Sequence, residues 1–170
     1  MEGSSHKGRW LRHLATDERA VRRLFGDDGL RRVEACIAEG ERVHRGQVRF
    51  AVEAALPLPR VARHVTPRER ALEVFGLSRT WDTEENCGVL VYLLLADRDV
   101  EIVADRGIHR RVGEGTWEMI CKKMEAAFRA GRFVDGAEAG VRAVNDVLAQ
   151  HFPRTGGQGA NELPDVPIVL

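Results

Sequence analysis

Lysine is nearly missing from this chain, cysteine is sparse, and neither sign of charge prevails. Of the 26 basic residues only Lys7, Lys122 and Lys123 are lysines, and no function follows from that bias. Basic and acidic residues balance at 26 each, which removes the electrostatic footprint of a nucleic-acid binder. Cys36, Cys87 and Cys121 stand far apart with no Cys-x-x-Cys pair, arguing against a disulfide framework or a zinc site. No apolar run approaches the roughly 20 residues that span a bilayer, and Met1 to Gly8 lacks the apolar core of a secretory signal. A cytoplasmic location without a transmembrane segment is the expectation. What remains is ordinary globular composition, 44% hydrophobic and 31% charged over 170 residues, enough for one sizeable core.

Hydrophobic period divides the chain into elements. Residues 10–25 carry Trp10, Leu11, Leu14, Val21, Leu24 and Phe25 between arginines, a basic amphipathic pattern. It suits a membrane-protein partner or membrane surface, or a helix that docks Trp10, Leu14 and Phe25 on the domain and leaves its arginines in water. The docked helix is the expectation. Leu30, Val33, Ile37 and Gly40 recur at helical steps after Asp27-Asp28, whose carboxylates suit a helix N-terminus. Val48, Phe50, Val52 and Ala54 alternate with more polar residues, the period of a strand. Thr66-Pro67-Arg68-Glu69 has a capping hydroxyl, a first-turn proline and a glutamate three after the cap. A helix to about Ser78 follows, with Ala71, Leu72 and Phe75 directed to the core. Two further helices close the chain, one with the stripe Trp117, Ile120, Cys121, Met124 and Phe128, the other with Ala137, Val141, Val144, Leu148 and Phe152. The expected organisation is a basic helical segment over 1–25, an α/β domain over 26–153 and an extended tail over 154–170.

Between those helices lies the most informative stretch. Val89 to Leu95 is apolar at every position, so it should be the central strand, covered on both faces. Ala96-Asp97-Arg98-Asp99 is short enough for a hairpin turn into Val100 to Ala104. Pairing Leu95 with Val100 sets Val91 opposite Ala104 and brings Asp105-Arg106-Gly107 beside Gly88-Val89. Asp82, Glu84, Glu85 and Asn86 enter at the same edge, and Glu114 approaches it from the next helix. Carboxylates with an amide oxygen are hard ligands that favour Ca²⁺ or Mg²⁺ over zinc. The candidate metal ligands are therefore Asp82, Glu85, Asn86, Asp105 and Glu114, and the candidate catalytic pair for phosphoester hydrolysis is Asp105 with Arg106. The alternative is a wet, acidic loop that only solvates a sheet edge, with Gly107 allowing a tight bend.

Other candidates are weaker. The six histidines show no metal-like spacing, and only His109 is near the edge. Cys87 lacks a histidine partner and reads as a small apolar residue. Gly113-x-Gly115 before a helix lacks the remainder of a phosphate loop. Trp81 and Trp117 read as core anchors.

The order helix, strand, helix, hairpin, helix, helix, with Asn86-Cys87-Gly88-Val89-Leu90-Val91-Tyr92, Asp97-Arg98 and Asp105-Arg106-Gly107-Ile108, resembles the TPM domain family over roughly Val21 to Phe152. Gly46-Gln47-Val48, Thr83, the Gly131-Arg132-Phe133-x-x-Gly136 junction and the closing Asn161-Glu162-Leu163-Pro164-Asp165 fit the same pattern. Gln47 stands where that family commonly has glutamate, and Cys87 where it often has asparagine. The resemblance implies a three-layer α/β/α sandwich with a small mixed β-sheet, built on the central hairpin 88–104 and flanked by helices. It also implies the calcium binding or acid phosphatase activity attributed to some members, or the accessory role of others. The expected function is a module that binds calcium or magnesium without turnover. The alternatives are a metal-dependent phosphatase-like enzyme and an interaction domain docking on a membrane protein.

Overall fold

The computed structural model describes residues 3–155 and 161–170, with side chains from residue 8 onward. The hairpin organises the sheet. β2 (Gly88–Leu94) pairs antiparallel with β3 (Asp99–Ala104) and parallel with β1 (Gln47–Glu53), and a two-residue strand β4 (Ile168–Val169) lies parallel on the far side of β1. The spatial order is β3-β2-β1-β4. Every residue of β1 and β2 is buried, as a continuous apolar run requires when both faces are covered.

The pleat divides that run between two cores. Val48, Phe50, Val52, Val89, Val91 and Leu93 face the larger core, packed by α3 (Gly26–Glu41), α7 (Glu114–Arg129) and α8 (Phe133–His151). Ala51, Leu90, Tyr92 and Leu94 face a smaller core under α4 (Leu58–Ala62) and α5 (Pro67–Leu77). The result is a three-layer α/β/α sandwich. α5 begins with the expected capping box, Thr66 and Glu69 each satisfying the other's backbone N–H. Ala71 and Phe75 meet the core as expected and Val74 joins them, whereas Leu72 is 50% exposed. Only a narrow stripe of α5 meets the sheet.

At the N-terminus, α1 (Gly3–Ala15) and α2 (Glu18–Leu24) lead into Phe25. The Phe25 ring packs at 6.2 Å from Phe50 and 6.1 Å from Phe133. Leu14 does not dock: it is 69% exposed, and α1 is instead held by His13 and its arginines.

The hairpin register differs from the sequence expectation by two residues. Leu94 pairs with Asp99 and Val89 with Ala104, because Leu95 to Arg98 forms the turn and Arg98 takes a left-handed φ of 52°. A two-residue slip preserves which face each side chain occupies. The far end of β3 still arrives at Gly88, to whose carbonyl the Asp105 N–H donates at 2.9 Å. A short helix that periodicity did not announce, α6 (Arg106–Val112), starts there.

Candidate functional site

Parallel pairing of Gln47 with Gly88 and the return of β3 to Gly88 bring three chain segments to one edge of the sheet. Two glycines allow them to meet. A Cβ on Gly88 would lie 1.8 Å from the Thr80 carbonyl oxygen, and one on Gly107 would lie 2.6 Å from that of Asn86 and 3.1 Å from that of Glu85. The first turn of α6 therefore rests against the carbonyls of the Glu85-Asn86 turn. That turn is held locally: the Thr83 hydroxyl accepts the Cys87 N–H at 2.9 Å, and Asn86 takes a φ of 52°, which asparagine tolerates.

Asp105 sits at the centre of this edge. Its Oδ1 accepts the Arg106 N–H at 2.6 Å and caps α6. Its Oδ2 is buried, the residue being only 8% exposed, and has no hydrogen-bond partner among the described residues. A buried carboxylate oxygen without a donor costs free energy that a bound cation would recover.

The other sequence candidates occupy separate positions. Asp82 forms an ion pair with Arg79 at 2.6 Å, and Glu85 one with Arg45 at 2.5 Å, all four side chains being well exposed. Arg106 opens α6 at the surface. Glu114 begins α7 and lines a different space, a cleft of about 350 Å³ along the edge strand β3, with Arg68, Glu101, His109, Trp117 and Glu125. The structure thus brings Asp105 to the Glu85-Asn86 turn, while the Asp82 and Glu85 carboxylates pair with arginines and Glu114 turns to the cleft. Among the described residues, no group of three or more His, Cys, Asp or Glu side chains is placed to hold a metal ion.

Burial disposes of the thiol and phosphate-loop alternatives. Cys87 is fully buried, its thiol donates to the Arg45 carbonyl at 3.2 Å, and burial pushes its pKa up, away from thiolate chemistry. Gly113, with φ 78°, is the break between α6 and α7 and not part of a phosphate cradle. Trp117 is a core residue, whereas Trp81 is half-exposed.

Sequence reasoning missed three groups. Glu162 reaches the same edge from the tail, its carboxylate accepting the Glu84 N–H at 2.7 Å. Glu41, buried at the end of α3, has one oxygen on the Val48 N–H at 2.8 Å and the other without a partner among the described residues, and burial raises its pKa to about 7. Asp99, at the start of β3, is also raised to about 6, first by burial and then by the neighbouring Glu101 and Glu125. The Asn161–Asp165 motif was a signal for Glu162; for Glu41 and Asp99 burial is the deciding fact, and it is invisible in a helix or strand pattern.

Comparison with known proteins agrees with this architecture. The fold is similar to the NMR structure of the BA42 protein from the psychrophilic bacterium Bizionia argentinensis, with a TM-score of 0.73 and 23% identity, covering 84% of this chain and 92% of that one. No curated protein matches the sequence. Among the described residues no helix is long and apolar enough to cross a membrane. A family model described as the TPM domain matches residues 20–147, well over half of the chain, and the chain belongs to the TPM domain family.

Proposed function

We propose that this TPM domain is a binding module that takes a divalent cation, calcium or magnesium, at the polar edge centred on Asp105. The observation carrying this reading is the Asp105 carboxylate: one oxygen caps α6, the other is buried without a partner, and the Glu85 and Asn86 carbonyls lie against the adjoining turn. These are oxygen donors, suited to hard cations. The Glu85 and Asp82 side chains and the Asn86 amide would complete the set by leaving their surface positions. Exposed ion pairs such as Arg45–Glu85 and Arg79–Asp82 contribute only about 0–1 kcal/mol each, so exchanging them for a cation costs little. Glu114, in the neighbouring cleft, adds negative potential.

A thermal melt with and without millimolar calcium or magnesium tests this directly. A ligand that binds only the folded chain at about a hundred times its Kd adds about 2.7 kcal/mol, or a shift on the order of 5–10 °C. The Asp105→Asn variant keeps an acceptor for the α6 cap and loses the charge, so it should fold and lose the shift. An unchanged melting temperature in wild type at millimolar metal overturns the reading. If the shift appears, phosphate release from a generic ester by wild type and Arg106→Ala tests for turnover, since Arg106 is the exposed cation next to Asp105.

One further observation favours an interaction role as well. Trp10, Leu11 and Leu14 are 38, 66 and 69% exposed on α1, an apolar face suited to a membrane-protein partner. Loss of co-purification or of bilayer association on Leu11→Asp/Leu14→Asp substitution would identify it.

A further inference from the structure

We infer that the C-terminal strap Asn161–Asp165 belongs to the polar edge, and that Glu162 is a positioning residue which holds the Thr83–Asn86 turn ready for its cation. This rests on the cation reading above and extends it to a segment beyond the residues matched by the family model.

The strap is seated by buried groups. Gln47, 1% exposed at the start of β1, uses its side-chain oxygen to accept the N–H of Glu162 at 2.8 Å and of Leu163 at 3.0 Å. Arg49 donates to the Pro164 carbonyl, Leu163 is buried, and the chain continues into β4. The Glu162 backbone is therefore located by the sheet itself. From that position its carboxylate accepts the Glu84 N–H at 2.7 Å, one residue after Thr83 begins the turn whose carbonyls lie against Gly107.

The choice of an acid there is informative. Glutamine would accept the same N–H without adding charge. Glu162 instead adds a carboxylate to an edge that already holds Asp82, Glu84, Glu85 and the Asp105 oxygen that is unpartnered among the described residues. Gathering like charges costs free energy in the absence of a counter-charge and strengthens the attraction for a cation. The uncharged Gln47 then has a definite task, as the socket for the strap.

Calcium titration by calorimetry, with melts of the calcium-free proteins, tests this on the full chain with Glu162→Gln, Glu162→Ala and Asp105→Asn. Glu162→Gln should weaken calcium binding about tenfold, the scale of one lost charge interaction near the surface. It should leave the calcium-free melting temperature equal to or above wild type, so that affinity falls with the fold intact, whereas a purely structural hydrogen bond, which glutamine keeps, would leave the affinity unchanged. Glu162→Ala, which also releases the turn, should bind more weakly still. Wild-type affinity in both Glu162 variants, with binding lost in Asp105→Asn, overturns the role of the strap and leaves the cation site standing. Absence of binding by wild type overturns both.

Discussion

Asp97, in the turn between β2 and β3, receives His13 Nε2 at 3.2 Å and Arg9 Nε at 2.9 Å on the same carboxylate oxygen, so that α1 is fastened over the end of the sheet opposite the polar edge. The other ring nitrogen of His13 accepts the Leu56 N–H at 3.0 Å, and Arg12 donates to the Ala96 carbonyl and to the second Asp97 oxygen. His13 is consequently the neutral tautomer with its proton on Nε2. Burial lowers its pKa despite the opposing pull of Asp97.

Asp97→Ala should loosen α1, because it leaves Nε2 of a buried histidine and Nε of Arg9 without their acceptor, with Arg9 keeping only its bond to the Val65 carbonyl. Removing one partner of a buried pair costs about 3 kcal/mol. The sign for acid follows from His13: a histidine whose folded pKa is lowered binds fewer protons folded than unfolded, so its contribution is present above about pH 6.5 and is lost as pH falls below that. Protonation would also set a ring N–H against the Leu56 N–H. Limited proteolysis between residues 8 and 17 at pH 5 and pH 8 checks both statements, and equal cleavage of wild type and variant would refute them.

Glu41 acts in the opposite direction. Its carboxyl is raised to about 7 from an ordinary 4.5, so the folded chain holds a proton that the unfolded chain has released between those values. Its cost to stability is small below pH 4.5 and is fully felt as pH rises through 7, by roughly 3 kcal/mol. Glu41→Gln keeps an acceptor for the Val48 N–H and should be more stable than wild type at pH 8 and nearly equal at pH 5. Urea midpoints at the two pH values give the comparison.

Gly88 and Gly107 differ in the consequence of adding one methyl group. At Gly88 the clash is with the Thr80 carbonyl at 1.8 Å, and Gly88→Ala should fail to fold or lose more than about 4 kcal/mol. At Gly107 the Asn86 carbonyl is 2.6 Å away and belongs to a surface turn that can shift. Gly107→Ala should cost about 1–3 kcal/mol, remain folded by circular dichroism, and lose most of the calcium-dependent melting shift.

Tyr92 donates to Glu53 at 2.7 Å beneath α5, where Arg70 also binds the same oxygen at 2.8 Å. Tyr92→Phe removes one donor from a carboxylate that is 5% exposed and should cost about 1–3 kcal/mol in chemical denaturation without altering metal binding.

What could be read without coordinates was whatever adjacent residues decide. The Thr66–Glu69 capping box is a contact over three positions, and the unbroken apolar run of β2 requires cover on both faces wherever its neighbours lie. The hairpin and the Asp105-Arg106-Gly107 return were legible for the same reason. The register was not, because it depends on Arg98 taking a left-handed conformation in a four-residue turn. α6 was not, because Arg106–Val112 offers only the single apolar pair Ile108 and Val112 and is started by the Asp105 cap. β4 has two residues and becomes a strand only through the free edge of β1.

The candidate site divides along the same line. Sequence alone placed Asp105 beside the residues that enter β2, since chain connectivity through a short hairpin leaves little freedom. Tertiary structure decided which of the other oxygens have partners: Arg45 takes Glu85 from 40 positions away and, among the described residues, Asp105 Oδ2 has none, whereas the Arg79–Asp82 pair is a local one over three positions. It also joined Glu84 to Glu162, 78 positions away, and His13 to Asp97, 84 positions away. Local periodicity and caps are set by steric and hydrogen-bonding rules within a few residues. Burial, ion pairing and the pKa of a carboxyl depend on what the rest of the chain packs against it.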